Sequence, residues 1–164
     1  MNGVAMEAVK AEQPQPASEL SREAWQRFIE AGFLACDAGL HSMATALFAD
    51  LVKLRTDIPQ LVIYQAMAHL QCGNVVEAEA VLSALRQRFP DSQMAKAVFA
   101  VCRMLLDEPD GAGLLDEVIA DGSERDAVEW AQLFVEQARR QSRAVPTPAL
   151  PLEGMEFFRH FNRK

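Results

Sequence analysis

The chain has 164 residues, half of them apolar and only 7% aromatic, with 16 Lys and Arg against 23 Asp and Glu and a formal net charge of −7. That length suits one domain with an aliphatic core. The negative balance argues against nucleic acid or an anionic membrane surface as partner, since either requires clustered cations, and no run of about 18 apolar residues marks a membrane span. Three widely separated cysteines, Cys36, Cys72 and Cys102, and no CxxC argue against a disulfide scaffold and for a reducing, cytoplasmic setting. The N-terminus carries no apolar core of a secretory signal.

Residues 1–17 are rich in Ala, Glu, Gln and Pro and are expected to form a disordered lead. The helical domain is expected over residues 18–143. Ser21 is placed to cap a first helix, along which Trp25, Phe28, Ile29, Phe33 and Cys36 recur at helical spacing. A turn at Ala38-Gly39-Leu40 leads to a second helix over about 42–54, ended by Ile58-Pro59. The pattern then repeats. Gly32 answers to Ala66, Gly39 to Gly73, Ala44 to Ala78, Phe48 to Leu82 and Leu51 to Leu85, each 34 residues on. Small residues recur where two helices must approach closely, glycines where the chain turns, and large apolar residues on the second helix of each pair.

The second unit spans about Pro59–Gln71 and then a helix expected to be capped by Asn74, with Glu77 completing a capping box. In the third, Asp91 or Ser92 opens a helix to about Leu106, and Asp107–Gly111 breaks it. Ala112 continues the step from Ala78 and opens a short helix to Ala120. Asp121-Gly122 cuts that helix, and Ser123 is expected to cap a last one reaching about Gln141 and carrying Trp130. Residues 144–151, with Pro146, Pro148 and Pro151, read as an extended linker. A short aromatic tail follows over 152–164, with Met155, Phe158 and Phe161 on one face as an anchor for a partner or for the chain's own third unit. Between Asp107 and Glu129 stand nine acids and one base, whereas from Arg139 onward there are six bases and two acids. Docking of the tail on the acidic unit is thereby favoured, although each exposed pair contributes only ~0–1 kcal/mol.

The duplicated hairpin resembles tetratricopeptide-repeat proteins over residues 25–106, with a weaker match to about 141. Within that family, its size and the run IYQAMAHLQCGNVVEAEAVLSALRQRFPDS are similar to the small Hrp-type and chaperone-type proteins of bacterial type III secretion. The fold expected is therefore an all-α, antiparallel helix-hairpin solenoid of about three units with a capping helix. The resemblance implies that the first helix of each unit lines a concave groove. Carried over by position, that wall holds Ile29, Phe33 and Cys36, then Ile63, Met67 and Leu70, then Met94, Val101 and Met104. It would be apolar and Met-bearing, suited to an amphipathic helix or an extended hydrophobic segment. Burial of these residues by the chain itself, or by a second copy, is the competing expectation. The carboxylate-gripping subclass of the family needs cations where this chain has Ile29, Phe33, Tyr64, Met94 and Val98, and is disfavoured.

No phosphate loop, nucleophile elbow or HExxH occurs. His69 and Cys72 lie three apart on one helix, short of the three or four ligands that zinc requires, and His41 falls on a turn. Asp110 and Asp116 lack calcium-loop spacing. A non-catalytic protein is expected, without metal or cofactor. Its expected role is to shield a hydrophobic segment of an export substrate or apparatus subunit. A self-associating apparatus component or an unrelated adaptor are the alternatives.

Overall fold

The structure, a computed structural model, describes residues 20–143, with side chains to 140. The lead 1–17, the linker 144–151 and the tail with Met155, Phe158 and Phe161 lie outside the described residues. Seven α-helices fill the described part, joined by short turns, with no strand among them: α1 (Arg22–Asp37), α2 (His41–Leu54), α3 (Pro59–Gln71), α4 (Val75–Arg88), α5 (Gln93–Leu105), α6 (Gly111–Asp121) and α7 (Arg125–Arg143). Each helix packs on the next, and α1, α3, α5 and α7 also touch in succession, so that odd-numbered helices form a row with α2, α4 and α6 set against it. This is the expected all-α stack of antiparallel hairpins.

The close approaches fall where the small residues recur. Ala44, Ala66 and Ala78 are fully buried. At Gly32 a Cβ would lie 2.5 Å from Phe48 Cε2, so the ring of α2 occupies the space that a side chain on α1 would need. Gly39 and Gly73 turn the chain with φ of +73° and +77°, the left-handed conformation at a helix end that glycine adopts without steric cost. One step of 34 further on, Asp107 takes the same conformation with φ +58°. Asp107→Gly is expected to raise stability by up to ~1 kcal/mol by removing the Cβ penalty, read as a higher urea midpoint at unchanged slope.

The repeat then loses one residue. The fully buried residues of α6 are Leu115 and Val118, 33 residues after Leu82 and Leu85, while Ala112, on the 34-residue step, is exposed. The small residue that meets α5 is Gly111, in the first turn of α6 rather than in the preceding loop. The connection between α5 and α6, residues 106–110, departs from the three-residue turns of the first two units (38–40 and 72–74), and the register of α6 shifts with it.

Capping follows the sequence in part. The hydroxyls of Ser21 and Ser92 accept from Ala24 N (3.2 Å) and Ala95 N (3.3 Å). Asn74 precedes α4, but its side chain makes no capping bond, so the expected box with Glu77 is not formed. Ser123 does not cap α7; its hydroxyl donates to the Asp121 carboxylate. Glu124, directly before α7, instead reaches across to α5, where its carboxylate accepts from Gln93 N and Met94 N, both at 3.0 Å. An anion there satisfies two of the orphan donors of α5 and faces the positive end of its dipole, tying the last helix to the third unit. Trp130 is buried on α7, its ring centroid 4.3 Å from that of Phe134.

Candidate partner-binding surface

Most of the expected groove is closed. Ile29, Phe33, Cys36, Ile63, Met67, Leu70 and Val101 are all buried, and Met67 has no exposed surface at all. Phe33 packs at 5.0 Å between ring centroids on Phe48 and edge-on at 5.8 Å on Tyr64, which joins α1 to α3. These seven residues are corrected from an open wall to interior packing. The odd-numbered helices touch along the row, and these side chains are buried where an open wall was expected.

Met94 and Met104 stay half-buried, each beside a small recess. Met94 and Ile63 line one of about 170 Å³ with Gln60, Tyr64, Ser92, Glu124 and Asp126. Met104 lines another of about 410 Å³ with Ala112, Leu115, Asp116, Val135, Ala138 and Arg139. Each is lined by apolar and charged side chains together. Neither is the continuous trough that an extended segment would fill.

Most of the exposed large apolar side chains lie on the first hairpin instead, with Val76, Leu105 and Leu133 exposed further along the chain. Leu34 is 60% exposed and Met43 62%, with Phe28, Leu40 and Leu54 also exposed. Comparison along the repeat explains why. The residues 34 and 68 after Leu34 are Ala68 and Cys102, both fully buried. Helices α3 and α5 each have an earlier helix, α2 and α4, packed against them, and among the described residues α1 has none. The first unit thus presents Leu34 at a position by which hairpins stack, where the inner units carry small residues; Met43 is not on that step, since its counterpart Glu77 is itself exposed. The signal was in the sequence: a large apolar side chain at a position that close packing elsewhere keeps small.

The polar chemistry is structural. Arg103 on α5 donates to Asp110 (2.9 Å), Glu79 (3.0 Å) and Glu108 (3.4 Å), so part of the acidic third unit is organised by one guanidinium. Hydrogen bonding to Arg103 holds the Asp110 carboxyl below its usual range. Among the described residues no three His, Cys, Asp or Glu side chains converge as metal ligands. Burial pushes the Cys36 and Cys102 thiols up to about 12, raises the Cys72 thiol and lowers His69. Such thiols are not activated nucleophiles. No described helix is long and apolar enough to cross a membrane. The described part is thus a helical-hairpin solenoid with an apolar first face. No protein family, curated protein or solved structure matches the chain.

Proposed function

We propose that this chain is a non-catalytic, chaperone-like binding protein of bacterial type III secretion, acting in the cytoplasm, that covers a hydrophobic helical segment of an export substrate or apparatus subunit. The observation that carries the binding reading is the exposed apolar surface of the first hairpin, where Leu34, at a position that the inner units bury, and Met43 stand more than half exposed. Contiguous exposed apolar surface marks interaction sites. A helix laid on it would extend the stack, burying apolar area at about 25 cal/mol per Å² before association costs. The secretion assignment rests on the resemblance of the second repeat, the chain's size and its acidity.

The test is co-purification from the native host with the wild type and with Leu34→Glu/Met43→Glu. Both positions are solvated, so the variant should keep its helical circular dichroism and lose the captured partner by tenfold or more. Capture that survives in a folded variant removes this face from the reading. Glutamate at Phe33 or Met67 is no substitute, because it would bury an unpaired charge and unfold the chain. Self-association through the same face is the second reading, favoured by the fact that every inner unit packs a neighbouring hairpin there. Sedimentation separates the two, since a self-associating chain gains mass with concentration and the same double variant returns it to monomer.

A further inference from the structure

Each of α1, α3 and α5 is followed by an even-numbered helix packed on it. A small residue marks the crossing. Gly32 of α1 meets Phe48 of α2, and the Ala100 carbonyl of α5 lies 2.9 Å from where a Gly111 Cβ of α6 would stand. Ala66 of α3, midway between Gly32 and Ala100 in sequence, is fully buried. The one-residue loss in α6 carries into α7. Buried Trp130 and Ala131 follow buried Ala97 and Val98 by 33 residues, whereas a step of 34 would put exposed Gln132 in the place of Val98. The α7 residue in the place of Gly32, Ala66 and Ala100 is therefore Leu133, which is large, apolar and 42% exposed. Among the described residues no helix follows α7 to cover it.

We propose that residues 152–164 are the even-numbered partner of α7, an eighth helix packed antiparallel on Leu133 that completes a fourth hairpin and closes this end of the stack. The segment follows α7 through the linker 144–151, and at helical spacing Met155, Phe158 and Phe161 share a face from which the charged residues point away. Eight extended linker residues span up to ~25 Å, and a helical turn rises only ~5 Å, so the segment can double back along α7. Charge sets the direction. Residues 124–129 hold Glu124, Asp126 and Glu129 against Arg125, whereas 136–140 hold Arg139 and Arg140 against Glu136. The segment opens with Glu153 and Glu156 and goes on to Arg159, Arg163 and Lys164. Laid antiparallel, its acids lie over the bases of α7 and its bases over the acids; laid parallel, like charges meet. Arg125 and Arg140 already bond Glu129 and Glu136 within α7, so the match is one of net charge at each end, screened by salt. Both helices rise equally per residue, so the register that sets Phe158 level with Leu133 also puts Lys164 between Asp126 and Glu129. Apolar burial drives the docking. The tether gives the segment an effective concentration on the order of millimolar, ahead of a free competitor for the same face. The first hairpin stays the open end of the stack, and the docking does not depend on what binds there.

Hydrogen exchange of the full-length protein, read by mass spectrometry, tests this. Peptides from 155–163 should exchange at least about tenfold more slowly in the wild type than in Leu133→Glu, while α1 to α5 keep their protection in both. Leu133 is partly solvated, so the variant should fold. Phe158→Glu, which leaves α7 itself untouched, should free the same peptides while the region around Trp130 stays protected. Carbodiimide coupling should join Lys164 to Asp126 or Glu129 of the same chain. Exchange of 155–163 that is fast in the wild type, or that is equally slow in either variant, would overturn the docking. Protection that grows with protein concentration would give the face to a second copy and overturn it too. Coupling of Lys164 to Glu136, or to no acid of α7, would overturn the antiparallel arrangement.

Discussion

Phe48→Ala is expected to cost about 3–5 kcal/mol of stability, the range for deleting a fully buried aromatic side chain from a core that cannot collapse. Phe48 has no exposed surface. Its ring lies 5.0 Å from that of Phe33, and its edge fills the space where Gly32 would carry a Cβ. Removing it opens a void against a residue with no side chain to swing in, so the transfer loss and the cavity loss both apply. Gly32→Ala alone is also expected to destabilise, by about 1–3 kcal/mol, since its Cβ would sit 2.5 Å from Phe48 Cε2. The double variant distinguishes this geometry from a general weakening of the hairpin. With the ring gone, the methyl group introduced by Gly32→Ala enters the vacated space, so the double should be more stable than the sum of the singles by about 1 kcal/mol or more. Urea unfolding of the four proteins gives the cycle directly. Simple additivity would mean that Gly32 and Phe48 do not share one packing site.

The same pair shows what could be read without coordinates. The step from Gly32 to Ala66 and from Phe48 to Leu82 exposes the period, and the period places the turns at Gly39 and Gly73 and the helices through α5. Local chemistry gave the caps at Ser21 and Ser92. It failed at Asn74 and at Ser123, where the α5 donors are satisfied by Glu124, from 30 and 31 residues away; no local pattern encodes a bond of that kind. The expected groove failed for a tertiary reason. The sequence distinguishes apolar from polar faces, but Phe33 and Met67 are as consistent with an open wall as with a closed seam. The spacing between neighbouring helices decides which, and here Phe33 meets both Phe48 and Tyr64. The exposed face was legible in principle, because Leu34 breaks the small-residue pattern of Ala68 and Cys102. Reading it required knowing that those two are packed against a preceding hairpin.

The one-residue shift in the third unit gives the second large effect. In an ordinary helix, replacing glycine by alanine stabilises by up to ~1 kcal/mol through backbone entropy and helix propensity. Gly111 and Gly113, two residues apart in α6, should answer in opposite directions. A Cβ at Gly113 meets nothing within 4 Å, so Gly113→Ala should gain close to the full propensity difference. A Cβ at Gly111 would lie 2.8 Å from Met104 N and 2.9 Å from Ala100 O, both backbone atoms of α5, as well as 2.6 Å from Met104 Cγ. The methionine side chain can give way, but the backbone atoms can move only if the whole helix moves. The clash, about 1–3 kcal/mol for overpacking that a core cannot relax, should outweigh the propensity gain and leave Gly111→Ala net destabilised, with Gly111→Val worse. Thermal and urea unfolding of the two alanine variants settles the register of α6. If the third unit kept the 34-residue step, Ala112 would face α5, Gly111 would be solvated, and both alanines would stabilise. Opposite signs place Gly111 at the crossing.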